Sequence, residues 1–154
     1  MTFNLNKISV QPERVAVVTG ANVGLGYETA KVLAEKEFTV ILACRNLDKA
    51  NKAISRIKKL NPQAKLQSLR LDLCSNKSVH EFATAFAHNY DRLDLLINNA
   101  GVMMPPYDTT EDGLESQMAA NYFGHFLLTS LLLPSLEQTK GSRTVALSSL
   151  AHAW

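Results

Sequence analysis

The sequence predicts an α/β protein, an open, doubly wound parallel sheet with strand order 3-2-1-4-5. Two observations lead there. Strand-length apolar runs alternate with segments of helical periodicity along all 154 residues, the pattern of parallel β-α-β units. The first strand-like run ends in a glycine-rich turn that opens directly into a helix. Right-handed crossovers, with one reversal after the third strand, give the 3-2-1-4-5 order. They place ligands beyond the carboxyl ends of the strands, at the switch between strands 1 and 4.

VAVVT, residues 15–19, is a β-branched run closed by Gly20 and reads as a buried strand. Residues 25–36 read as a helix, and FTVILAC, 38–44, as a second buried strand. Ala50, Ala53, Ile54, Ile57 and Leu60 recur at helical spacing. KLQSLRLDL, 65–73, alternates apolar and polar residues and is a third strand. Val79, Phe82, Ala83, Phe86 and Tyr90 mark another helix. LDLLIN, 93–98, is the fourth strand, 112–138 a long helical stretch, and RTVALS, 143–148, the fifth strand.

Composition narrows the function classes. The length fits one domain, 1–154, able to bury a core. With 19% charged and 46% hydrophobic residues, the chain has the balance of an ordinary globular protein. A formal net charge of +2 is too small to argue for nucleic acid or membrane. Cys44 and Cys74 sit inside apolar runs, so a reducing compartment is expected. The first 14 residues have no apolar core of a secretory signal. FLLTSLLLPSL, 126–136, is too short to span a bilayer and is interrupted by Pro134; it reads as a buried helix. The four histidines, His80, His88, His125 and His152, have no ligand spacing, so no metal site is expected.

The turn TGANVGLG, 19–26, carries a physical mechanism. Gly20 permits the tight turn, Gly24 lets backbone approach a pyrophosphate, and Gly26 lets the helix pack close to the sheet. The helix N-terminus offers free N–H groups and partial positive charge to phosphate. The spacing is G-x-x-x-G-x-G. In this form, and with LDL at 71–73, NNAG at 98–101, MAANYFGHFLLT at 118–129 and LSS at 147–149, the chain resembles the short-chain dehydrogenase/reductase family. ACRN at 43–46 and NYFGHFLLT make it most similar to the retinol dehydrogenase-like and WW-domain oxidoreductase-like branch. The likeness runs from about residue 13 to the end and implies a Rossmann-type nucleotide-binding domain.

The resemblance implies cofactor contacts at Gly20, Asn22, Gly24, Leu25, Gly26, Arg45, Asp72, Leu73, Asn99, Ala100 and Gly101. A carboxylate ending strand 2 would bind a ribose 2′-OH and repel a 2′-phosphate. Arg45 stands there instead, which favours NADP(H) over NAD(H). Many NADP-type relatives carry a second basic residue in the glycine turn, where this chain has Val23. Between 45 and 70 lie Arg45, Lys49, Lys52, Arg56, Lys58, Lys59, Lys65 and Arg70 against a single acid, Asp48. No aromatics interleave with them, so the run reads as a solvated face that steers an anionic cofactor, not a nucleic-acid surface.

The reaction implied is hydride transfer between nicotinamide and the carbon of a small-molecule carbonyl or alcohol, a retinoid or another lipophilic compound by branch. The family uses a Tyr as acid/base, a Lys four residues on, a Ser on the substrate oxygen and an Asn supporting a relay water. Ser149 matches the Ser, in preference to Ser148, and Asn121 the Asn. The Tyr-x-x-x-Lys pair should follow Ser149, and the residues given hold none there. Tyr27 and Lys31 have the spacing but lie on the first helix, at the wrong end for a nicotinamide. His125 reads as a packed position, and Ser149 with His152 is too local for a hydrolytic triad.

The expectation is therefore a domain truncated after strand 5, binding cofactor but inactive alone. In that form the first helical layer leaves strands 4 and 5 poorly covered. Strand 5 becomes an open edge where homo-oligomers could pair, and the apolar helix adds exposed area. The branch's N-terminal anchor is not seen, which favours a cytoplasmic protein. Two other readings stay open. One is a nucleotide-binding or interaction module acting on full-length relatives. The other is an enzyme completed by a second chain.

Overall fold

The structure, a computed structural model, describes residues 4–149. Its sheet has five parallel strands in the order β3-β2-β1-β4-β5, as the alternation requires. They are β1 (Val15–Thr19), β2 (Thr39–Cys44), β3 (Leu66–Arg70), β4 (Leu95–Asn98) and β5 (Arg143–Ala146). The helices are α1 (Gly24–Glu35), α2 (Leu47–Leu60), α3 (Asn76–Asn89), the short α4 (Ser116–Met118) and α5 (Gly124–Gln138), with a π-helical segment (Ala119–Phe123) between the last two.

β1 lies at the centre with all five residues buried, which is why its run is uniformly apolar. The alternating pleat sends its side chains into two cores. Val17, Ile41 and Leu96 pack against Phe82 and Phe86 of α3 and Leu128, Leu132 and Leu136 of α5. Val18, Val40 and Leu42 face Ala30 and Ala34 of α1 and Ala50, Ala53 and Ile57 of α2. The alanines on α1 and α2 let those helices lie close to the sheet.

At the amino edge, opposite the glycine turn, Asp94 is 1% exposed and fixes the β1–β4 pairing. Its Oδ2 accepts from the Val15 N–H at 2.9 Å and from Arg92 Nε at 2.8 Å, and its Oδ1 from Arg92 Nη2 at 2.7 Å. Burial alone would raise its pKa, but the Arg92 fork and the Val15 N–H, with Arg14 nearby, hold it below the ordinary carboxylate range.

Five sequence expectations need correction. The long helix over 112–138 is three pieces, because the backbone widens into the π segment around Asn121. Pro134 does not interrupt α5, which continues to Gln138. Nor is α5 buried all round: Leu128, Leu132 and Leu136 face the core while Phe126 is 65% and Leu133 46% exposed. The thin cover falls on β5, whose four residues are all exposed, and much less on β4, where Ile97 is buried and Leu95 partly so. The LDL segment lies past the end of β3, in the loop that leads to α3.

Candidate functional site

The carboxyl ends of β1, β2, β3 and β4 open on a cleft of about 1440 Å³. Of the expected cofactor residues, Gly20, Asn22, Leu25, Gly26, Arg45, Asp72, Leu73, Asn99, Ala100 and Gly101 line it. Gly24 heads α1 beside them.

The glycine turn behaves as its spacing requires. Gly20 has φ +65°, and a Cβ there would stand 3.0 Å from the Ala100 Cα, so the turn passes hard against the end of β4. A Cβ on Gly26 would lie 2.7 Å from the Gly20 carbonyl oxygen. Gly24, at φ +58°, has open space where a side chain would sit. Helix caps single out α1. Asn46 caps α2 by accepting from the Lys49 N–H, and Ser75 caps α3 by accepting from the Ser78 N–H. At α1 the N-cap position is Val23 and no side chain caps the helix. Its first N–H groups face a cleft, the arrangement that receives a phosphate.

One residue outside the expected set organises this corner. Thr19 is fully buried, and its Oγ1 accepts from the Asn99 and Ala100 N–H groups, each at 2.9 Å. The Asn99 carboxamide donates to the Thr19 carbonyl at 2.8 Å. Thr19 Oγ1 also lies 2.9 Å from His125 Nε2, while His125 Nδ1 lies 3.3 Å from the Asn121 carbonyl. With two N–H groups already pointing at it, the hydroxyl donates its proton to Nε2. Nδ1 then carries the ring hydrogen and donates to Asn121. Burial pushes the His125 pKa down, the Asn121 bond only partly opposing it, so the ring is neutral. The packed role expected for His125 thus includes two specific bonds. Thr19 gave no sequence signal beyond closing a strand.

Asn121 sits in the π segment, and its carboxamide grips the backbone after β4. Its Oδ1 accepts from the Val102 N–H and its Nδ2 donates to the Val102 carbonyl, both at 2.8 Å. A Cβ on Gly101 would lie 3.4 Å from that Oδ1. Gly124, which the sequence reading passed over, lets α5 touch the loop after β3: a Cβ there would stand 2.3 Å from the Leu73 carbonyl. Ser149 follows β5 by three residues and is exposed. Tyr27 and Lys31 are engaged elsewhere. Tyr27 is 6% exposed with the Arg56 guanidinium 4.4 Å from its ring centre, and Lys31 pairs with Glu28.

In the loop that leads from β3 to α3, Asp72 accepts from the Cys74 N–H at 3.0 Å, and its own N–H donates to the Ser78 hydroxyl. Burial, then the Asp72 carboxylate, push the Cys74 thiol up while Arg45 pulls against them. Among the described residues there is no group of three or more His, Cys, Asp or Glu able to hold a metal. None of their helices is long and apolar enough to cross a membrane.

A doubly wound sheet with an uncapped glycine-turn helix at its switch point defines a dinucleotide-binding domain. The particular family follows from comparison. The sequence model described as short chain dehydrogenase matches residues 14–153, and the chain belongs to that family of oxidoreductases. Within it the chain is retinol dehydrogenase-like. It is 49% identical to mouse retinol dehydrogenase 11 over 141 residues, which is 92% of this chain and 45% of that protein. A crystal structure of a protein from Mycobacterium paratuberculosis superposes with a TM-score of 0.84 at 39% identity, covering 99% of this chain and 52% of that one. A short chain dehydrogenase from Escherichia coli CFT073, complexed with NADPH, gives 0.78 at 32% identity, over 92% and 60% of the two chains. The chain therefore spans less than half the length of the curated relative it matches.

Proposed function

We propose that residues 1–154 form the NADP(H)-binding portion of a short-chain dehydrogenase that interconverts a lipophilic alcohol and its carbonyl compound. The observation that carries this reading is the α1 N-terminus, left uncapped at the floor of the cleft while α2 and α3 are capped by Asn46 and Ser75. The NADPH bound by a structural neighbour and the retinol of the mouse relative's name support the cofactor and the substrate class. When bound, the nicotinamide supplies or accepts the hydride.

The chain's own residues orient and hold. The α1 N–H groups and the bare Gly24 receive the pyrophosphate. Arg45, exposed at the end of β2, receives the 2′-phosphate. Asp72 and the Leu73 backbone border the adenine. Thr19, through Asn99 and Ala100, fixes the wall that Gly101 and Asn121 continue toward the nicotinamide. Ser149, at the carboxyl side of β5, offers its hydroxyl to the substrate oxygen. The only Tyr-x-x-x-Lys pair in these residues is buried against Arg56 and tied to Glu28, so residues 1–154 by themselves bind without turning over.

The test is a titration of the purified chain with NADPH and with NADH, following nicotinamide fluorescence and melting temperature together. Saturable binding with a clear NADPH preference is expected. At a hundredfold excess over Kd, ligation should stabilise the fold by about 2.7 kcal/mol. No binding, or equal affinity for both, would remove the cofactor assignment.

A further inference from the structure

We propose that Arg70 is a second specificity-determining residue, forming with Arg45 a two-guanidinium seat for the 2′-phosphate of the cofactor. The inference rests on the NADP(H) reading and adds to it a residue on a different strand.

Strand register carries the argument. Arg70 ends β3, and its partner in the parallel ladder is Cys44, which ends β2 immediately before Arg45. Paired residues of a parallel ladder point to the same face. Cys44 packs in the core beneath α1 and α2, so Arg70 belongs to the α2 face of the sheet. Two residues earlier on that face, the Ser68 hydroxyl donates to Asn51 of α2 at 2.7 Å. From Ser68 to Arg70 the strand advances by about 6.6 Å toward the carboxyl edge. From Asn51 back to Leu47, where α2 begins, the helix rises about 6 Å in the same direction. Arg70 therefore stands level with the first residue of α2, beside the Arg45–Asn46 corner, and both arginines line the cleft.

The carboxylates that line the cleft are occupied: Asp72 accepts from the Cys74 N–H, Asp108 from the Thr109 N–H and Glu111 from the Ser75 hydroxyl, and Glu81 pairs with Lys77. On the α2 side stand Arg45 and Arg70, both exposed and neither ion-paired among the described residues. By contrast Arg14 and Arg92 are committed to Asp94, and Arg56 to the Tyr27 ring. Two like charges brought to one corner with no ion-pair partner among the described residues repel until an anion arrives. A dianionic phosphate monoester matches two guanidinium forks in charge and in donor geometry. This seat also supplies from β3 the second cation that Val23 does not supply from the glycine turn.

The experiment titrates the chain with adenosine 2′,5′-bisphosphate and with 5′-AMP, which differ only in the 2′-phosphate. Isothermal calorimetry is run on the unaltered chain and on Arg70→Gln, Arg45→Gln and Arg70→Lys, with melting temperatures to verify folding. Arg70→Gln should weaken the bisphosphate about tenfold and leave 5′-AMP within about twofold, the size of one charge-assisted contact. Arg70→Lys should recover part of that loss. If Arg45→Gln weakens the bisphosphate and Arg70→Gln does not, the Arg70 seat is wrong and the NADP(H) reading stands. If Arg70→Gln weakens both ligands equally, Arg70 acts on adenosine or on the fold and the proposal fails. If the unaltered chain binds the bisphosphate no better than 5′-AMP, the NADP(H) reading fails and takes this inference with it.

Discussion

Thr19 concentrates more of the site's order in one hydroxyl than any other described side chain at this corner. It holds two backbone N–H groups of the β4 turn and reaches His125, all without contact with water. Thr19→Val keeps the shape and removes the acceptor, leaving the half-buried Ala100 N–H without it and the Asn99 N–H with only the Ile97 carbonyl at 3.0 Å. The expected loss is on the order of 2–3 kcal/mol, read by urea denaturation, with weaker NADPH binding. His125 gives a pH signature. Its folded pKa is lowered, so its contribution is fully present above the ordinary histidine value of about 6.5. It is lost as pH falls from there through the folded value. Asp94, also lowered, withdraws its contribution only below about 3.8. Stability of the chain should thus fall in two steps on acidification. In His125→Gln the first step should vanish and the second remain; a first step that survives would place its origin elsewhere.

At the scale of elements, the helical run after residue 115 shows how packing overrides periodicity. The sequence reads as one helix. The structure inserts a π segment that turns Asn121 toward the backbone after β4, and it brings Gly124 against the Leu73 carbonyl. A π segment of this kind places a side chain where an unbroken α-helix would not. Gly124→Ala must push α5 away from the loop after β3, because the obstructing atom is backbone and cannot rotate aside. A destabilisation of about 1–3 kcal/mol is expected, by the same measurement, and a neutral result would show that α5 is free to shift. Pro134 makes the complementary point. A helix anchored by Leu128, Leu132 and Leu136 tolerates a missing N–H that the sequence alone marks as a break.

At the scale of the molecule, the central strands are covered on both faces and β5 is not. Its outer edge has no partner among the described residues, and Val145 and Leu147 are 44% and 45% exposed. Phe126 and Leu133 of α5 enlarge the uncovered apolar area. The chain is expected to self-associate through this side. Val145→Lys should shift the sedimentation distribution toward monomer while leaving NADPH binding unchanged, because the cleft lies at the carboxyl ends of the central strands. Association unaffected by Val145→Lys would move the contact to another surface.

Local chemistry determined much by itself. The order of strands followed from alternation and crossover handedness. The glycine turn could be picked out from residue type and spacing along the chain, and the LDL and NNAG segments and Asn121 from the motifs that resemble the family. The contacts of Thr19, His125 and Gly124 and the ladder position of Arg70 were not legible in the sequence. Thr19 and His125 meet across 106 residues of sequence, and Gly124 works only because a carbonyl from another loop lies where its Cβ would be. Arg70 acquires its meaning from the register that sets it beside Cys44. Those facts are distances between segments far apart in the chain. They are decided by how helices and strands settle against a shared core, which no pattern within one segment encodes.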